Sequence, residues 1–140
     1  VPMATIITPN LPEAAVLLDR DAPDTLAGMR AMLPPLHALG ARWIMLKGGS
    51  LPETASKDSA DFLSGERKVI PLSAPRIRTN NLHGTGCTLS AAIAALMTRM
   101  PLPESVAAAK QYLTGALQAS ASLNVGHGHG PVHHFHSCWK

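Results

Sequence analysis

A chain of 140 residues, 46% apolar and 15% charged, is long enough for one domain with a real core and far from disordered or collagen-like composition. No apolar run approaches the roughly eighteen residues that span a bilayer, and the opening VPMATIITPN lacks the basic-then-apolar layout of a secretory leader. The net charge of +3 comes from scattered Lys and Arg and aromatics are only 4%, so neither a basic stripe nor a base-stacking platform is present; the expectation is a cytoplasmic protein that binds neither membrane nor nucleic acid, its basic balance suited to an anionic small molecule.

In chain order, the β-branched run ATII at residues 4–7 predicts a short buried strand. Thr8-Pro9-Asn10 turns, and LPEAAVLL predicts a helix with Pro12 tolerated in its first turn. Asp24 is the expected N-cap of TLAGMRAML. Pro34-Pro35 must end or kink that helix, since neither offers an N–H and Pro34 biases Leu33 away from α geometry; LHALG then closes a short turn at Gly40. Residues 42–46, RWIML, predict a strand running into the turn Lys47-Gly48-Gly49. ADFL and KVIPL, on either side of SGER, predict a small antiparallel hairpin.

Helices dominate the rest. In LSAAIAALMTRM, residues Leu89, Ala92, Ile93, Leu96, Met97 and Met100 share one face. Over residues 104–123 the shared face is Val106, Ala109, Leu113, Ala116, Leu117 and Ser120. The tail NVGHGHGPVHHFHSCWK predicts a loop rich in Gly and His. Strands alternating with helices imply an α/β layer fold with a parallel sheet.

Three places can carry chemistry. In HGTGCTLS, glycines before a helix let N–H groups converge, and the positive end of the helix suits a phosphate or a developing anion. The same field favours a thiolate at Cys87, in the first turn; the alternative is a structural cysteine behind a tight turn. Lys47 follows a strand directly and is placed to reach a phosphate at the carboxyl edge of a parallel sheet, unless it is simply a solvated surface lysine. Asn10 and Glu13 form an N-x-x-E in which Glu13 either holds magnesium through water or completes a helix cap. The tail's His127, His129, His133, His134, His136 and Cys138 match no structural zinc spacing.

Taken together, TPNLPE (8–13), MLKGG (45–49), APRIRTNNLHGTGC (74–87) and GHGHGPVHHFH (126–136) closely resemble the hydroxymethylpyrimidine/phosphomethylpyrimidine kinases of thiamine biosynthesis, in the ribokinase-like superfamily. The resemblance implies a three-layer α/β/α fold in which residues 1–140 are the C-terminal, nucleotide-binding half of one domain, carrying part of a mostly parallel sheet. It implies phosphorylation of 4-amino-5-hydroxymethyl-2-methylpyrimidine and then of its monophosphate, using ATP and Mg2+. It makes Gly84, Thr85 and Gly86 with Cys87 an anion hole, and Cys87 the base that takes the hydroxyl proton. Lys47, Gly49 and Asn10 become nucleotide contacts, and Glu13 a carboxylate near magnesium, through water.

The family's pyrimidine pocket belongs largely to the N-terminal half, which has no counterpart in these residues. Leu82 stands where relatives often carry threonine, and Pro34-Pro35 interrupts a helix that is commonly continuous. Alternatives are a pyridoxal kinase of the same superfamily, some of which use a GTGC cysteine, and a non-catalytic nucleotide- or phosphate-binding partner module; the tail GPVHHFH favours the pyrimidine enzyme. Dividing a sheet exposes a strand edge, so self-association or association with the missing half is expected.

Overall fold

The apolar run WIMLK forms the strand around which the first part of the chain is built. The computed structural model describes residues 1–139, and the chain groups into two units, Val1–Pro75 and Arg76–Lys140, each taken by itself below.

In the first unit the elements are β1 (Ile6–Ile7), α1 (Leu11–Leu18), α2 (Leu26–Ala31), α3 (Leu33–Ala38), β2 (Trp43–Lys47), β3 (Ser59–Gly65) and β4 (Lys68–Ala74). They form one sheet in the order β1-β2-β3-β4. β1 pairs parallel with β2, Ile6 opposite Trp43 and Ile7 opposite Ile44. β2 and β3 are antiparallel, from Ile44 opposite Ser64 to Lys47 opposite Asp61, and β3 and β4 close the expected hairpin. These strands therefore make a mixed sheet rather than a mostly parallel one. A parallel return needs a crossover, usually a helix, and residues 48–58 contain none.

Ile44 and Leu46 are fully buried among Leu11, Met29, Leu36 and Leu51, each such side chain stabilising the unit by about 1.5–3 kcal/mol. Met45 and its partner Leu63 are also buried. A strand covered on both faces reads as continuous apolar sequence, which is why WIMLK shows no alternation.

Three local expectations are corrected. β1 has two half-buried residues instead of four buried ones, because β2 begins only at Trp43 and offers Ala4 and Thr5 nothing to pair with. The N-cap of α2 is Thr25, not Asp24: Thr25 has extended geometry and its Oγ1 accepts the Gly28 N–H at 3.1 Å. The expected break near Pro34-Pro35 falls at Met32, and both prolines sit in the first turn of α3, where a missing N–H is no loss. The two-residue turn of the hairpin puts Glu66 and Arg67 at φ 48° and 62°, as a type I′ turn requires, at about 1 kcal/mol each for residues with a Cβ.

In the second unit α4 (Thr85–Leu96) and α5 (Leu102–Ala119) pack together, followed by a single 3-10 turn at Ser120–Ser122. α4 buries Leu89 and Ile93; α5 buries Val106, Ala109, Leu113 and Ala116, the face that the periodicity predicts. α4 ends at Leu96 rather than Met100: Met97 is its C-cap, still in right-handed geometry, and the chain continues as a turn in which the Arg99 N–H donates to Leu96 C=O at 2.9 Å. α5 starts two residues earlier than expected, with proline in its first turn, and closes at Ala119. Among the described residues no helix is long and apolar enough to cross a membrane. Among the described residues the tail has no helix or strand but is tied down: Pro131 bridges to His83, Val132 and His133 are buried, the His133 N–H donates to Ala116 C=O at 3.1 Å, and Tyr112 Oη donates to His134 C=O at 2.8 Å.

Candidate active site

The carboxyl ends of β1 and β2 bring Asn10, Glu13, Lys47 and Gly49 to one edge of the first unit. The Lys47 N–H donates to Pro9 C=O at 2.9 Å, and Lys47 and Asn10 form a parallel bridge beyond the named strands. Asn10 caps α1 through a full capping box: its Oδ1 accepts the Glu13 N–H at 2.7 Å, and Glu13 Oε2 accepts the Asn10 N–H at 2.8 Å. The cap is thus real. It engages one carboxylate oxygen of an exposed Glu13 and leaves Oε1 outside the box, so capping and a water-mediated metal contact are compatible.

Lys47 is half-buried and ends β2. Behind it, Asp61 on β3 is buried, and its Oδ1 accepts the Gly48 N–H at 2.9 Å. This bond fixes the course of the chain immediately after Lys47. Gly48 is the glycine that the turn demands: a Cβ there would collide with the Ala60 carbonyl oxygen and lie 2.9 Å from Met29 Sδ. Gly49, singled out from the sequence, is exposed and a Cβ there meets nothing within 4 Å. Asp61 escaped the sequence reading, although a carboxylate inside the apolar strand ADFL was its signal.

In the second unit, Gly84 is the N-cap of α4 at φ 81°, a left-handed conformation that favours glycine. No side chain caps this helix. Thr85 folds back on the loop before the helix, its Oγ1 and N–H both donating to Leu82 C=O, while the first intrahelical bond is from Thr88 N–H to Gly84 C=O at 2.8 Å. Gly86 and Cys87 therefore present N–H groups without intrahelical acceptors, at the positive end of a twelve-residue helix. That arrangement fits an anion. Cys87 is exposed on the first turn, as expected.

The loop leading into Gly84 is fixed by Asn81, whose Nδ2 donates to Ser120 C=O at 2.6 Å. On the other side of Cys87, the buried Thr88 meets His134: Oγ1 and Nε2 are 2.9 Å apart. Cys87, Thr88, Ala91, Ala95, Tyr112 and His134 line a groove of about 610 Å³ along α4 and α5. Asn81, Tyr112 and His134 carry no signal in periodicity; their places come from how the tail folds back on α5. Among the described residues no three His, Cys, Asp or Glu side chains gather to hold a metal ion.

Known structures and relatives agree with this architecture. The pyridoxal kinase of Bacillus subtilis, solved as an ADP complex, matches 97% of this chain with a TM-score of 0.88 at 33% identity, over 50% of its own length. A phosphomethylpyrimidine kinase of Clostridium difficile matches 82% of the chain with a TM-score of 0.61 at 28% identity, over 44% of its own length. The fold is accordingly ribokinase-like. Within that class the sequence is more particular: the profile of the phosphomethylpyrimidine kinase family matches residues 1–133, and the chain belongs to that family. The hydroxymethylpyrimidine/phosphomethylpyrimidine kinase of Salmonella typhimurium is 47% identical over 140 residues, covering 99% of this chain and 52% of its own. The chain spans about half the length of the curated relatives it matches.

Proposed function

We propose that this chain supplies the phosphate-handling half of a cytoplasmic kinase that phosphorylates 4-amino-5-hydroxymethyl-2-methylpyrimidine and then its monophosphate, with ATP as donor. The observation that carries this reading is the uncapped α4 N-terminus at Gly84, with Cys87 in its first turn. When bound, Mg2+ neutralises phosphate charge and aligns the transferring group.

The chain's own residues do the rest. Gly86 and Cys87 N–H groups, aimed by the left-handed Gly84, receive negative charge that develops on the transferring phosphoryl oxygens. Cys87 Sγ accepts the proton of the substrate hydroxyl, freeing the oxygen to attack phosphorus. In the first unit, Lys47 Nζ carries positive charge to the nucleotide phosphates, and Asp61 positions the turn from which it extends. Glu13 Oε1 is the outer-sphere partner for magnesium, while Asn10 holds Glu13 in place.

Among the described residues β1 pairs only with β2 in the sheet order, so its outer edge can take a further strand, from the remaining half of the enzyme or from a second copy. Activity of the 140 residues alone is not expected, because the pyrimidine pocket is assigned to that other half. The test is product analysis by mass spectrometry, comparing the chain alone with the chain joined behind the first half of the Salmonella relative. Pyrimidine mono- and diphosphate from the joined protein only is the expected result. Pyridoxal phosphate instead selects the pyridoxal kinase reading, which the TM-score of 0.88 with the Bacillus subtilis enzyme favours, and ATP binding without either product selects a non-catalytic module.

A further inference from the structure

The opposite end of β2 from Lys47 carries a second concentration of charge. Arg42 immediately precedes β2, Arg67 and Lys68 lie at the β3–β4 turn, and Arg30 lies on α2; together they line a concavity of about 590 Å³. The register, Ile44 opposite Ser64 and Gly65 opposite Lys68, places this concavity at the amino end of β2. Arg42 and Lys47 are roughly 16 Å apart along the strand at ~3.3 Å per residue. Among the described residues no ion pair joins any of the four cations to a carboxylate, and Glu66 is the one acidic residue in the lining. The concavity therefore carries a formal charge equal to the +3 of the whole chain.

Beside the apolar Leu33, Pro34 and Val69, its lining includes two fixed polar residues, His37 and Ser64. His37 on α3 is held from both ring nitrogens, Nδ1 2.8 Å from Ala41 O and Nε2 2.9 Å from the Oγ of the buried Ser64 on β3. The contact to Ser64 ties α3 to β3 within the lining.

We propose that this concavity binds a phosphate-bearing small molecule, separately from the phosphate-handling edge at Lys47. Three guanidinium groups suit phosphate oxygens because each presents planar paired donors. The volume lies in the range of small-ligand pockets, and the lining holds no Phe, Tyr or Trp on which successive nucleic-acid bases could stack, its one imidazole, His37, being tied down at both ring nitrogens.

Pyrophosphate and inorganic phosphate are the probes, titrated into the 140-residue chain by calorimetry and followed by amide shifts at residues 64–68. Pyrophosphate is expected to bind more tightly than phosphate, with Arg42→Gln and Arg30→Gln each weakening it about five-fold or more. Arg67→Gln, at an exposed turn, gives the same loss without touching the packed elements. Lys57→Gln, which removes an exposed charge outside the concavity, is expected to change binding less than about two-fold, and Lys47→Gln should leave the shifts at residues 64–68 intact. Tighter phosphate than pyrophosphate binding with the same arginine dependence would assign the site to the free ion. Absence of shifts at residues 64–68, or equal weakening by Lys57→Gln, overturns the site. An RNA oligomer that binds more tightly than pyrophosphate with the same arginine dependence overturns the small-molecule assignment.

Discussion

Thr88 Oγ1 lies 2.9 Å from His134 Nε2, linking the residue after Cys87 to the histidine-rich tail. The tail is held independently at this point, since Tyr112 donates to the backbone carbonyl of the same His134. Removing the imidazole therefore breaks one defined bond and leaves a buried hydroxyl without its partner. His134→Ala is expected to cost about 1 kcal/mol and Thr88→Val a similar amount. In a double-mutant cycle the two should couple by about 0.5–1.5 kcal/mol. Chemical denaturation of the four proteins measures this, and strict additivity would show that the contact contributes nothing.

Gly48 and Gly49 are adjacent and predicted to behave oppositely. Gly48→Ala drives a Cβ into the Ala60 carbonyl oxygen, an atom of the sheet backbone that cannot move aside cheaply, so a loss of about 1–3 kcal/mol is expected. Gly49→Ala, with open space around it, should change stability by no more than about 0.5 kcal/mol. Thermal melts of both variants decide it. Asp61→Ala belongs with Gly48→Ala, since it orphans the buried Gly48 N–H, at about 1–3 kcal/mol.

This pair also shows where sequence reading stops. The strand at WIMLK, the hairpin, both long helices and the helix-initiating glycines were legible because each has a local signature in period, turn chemistry or capping. Which of two neighbouring glycines is sterically required was not, since the colliding atom belongs to Ala60, twelve positions on. Asp61, Thr88 and His134 share that difficulty: each acts through a partner that only the folded chain supplies. The direction of β3 was legible only as a hairpin, not as an antiparallel addition to β2. The N-cap of α2 was missed by one residue because Asp24 and Thr25 are both good caps and only backbone geometry chooses between them.

Glu13 has two jobs in the proposal, and substitution separates them. Glutamine can complete a capping box as glutamate does, so Glu13→Gln should keep stability within about 0.5 kcal/mol while removing the charge offered to magnesium. Glu13→Ala loses both, at about 1 kcal/mol. Titrating ATP into the chain with and without Mg2+ reads the difference: the magnesium-dependent part of the affinity should fall in both variants. If Glu13→Gln binds MgATP as the parent does, Glu13 is a cap alone.

Cys87 and Gly84 make the sharpest kinetic contrast. The first phosphorylation uses a neutral hydroxyl, which must lose its proton, whereas the second uses an oxygen of a phosphate monoester that is already largely ionised near neutral pH. A base at Cys87 therefore matters to the first step only, where general base catalysis contributes about 10²- to 10⁴-fold. The N–H groups that follow Gly84 face charge on the transferring phosphoryl group, which both steps develop. In the protein completed with the first half of the Salmonella relative, Cys87→Ala should slow the first transfer by that factor and the second far less. Gly84→Ala, strained at φ 81°, should re-aim the N–H groups and slow both transfers alike. Single-turnover rates for each step provide the measurement, and equal losses of both steps in Cys87→Ala would remove Cys87 from proton transfer and leave it a member of the anion hole.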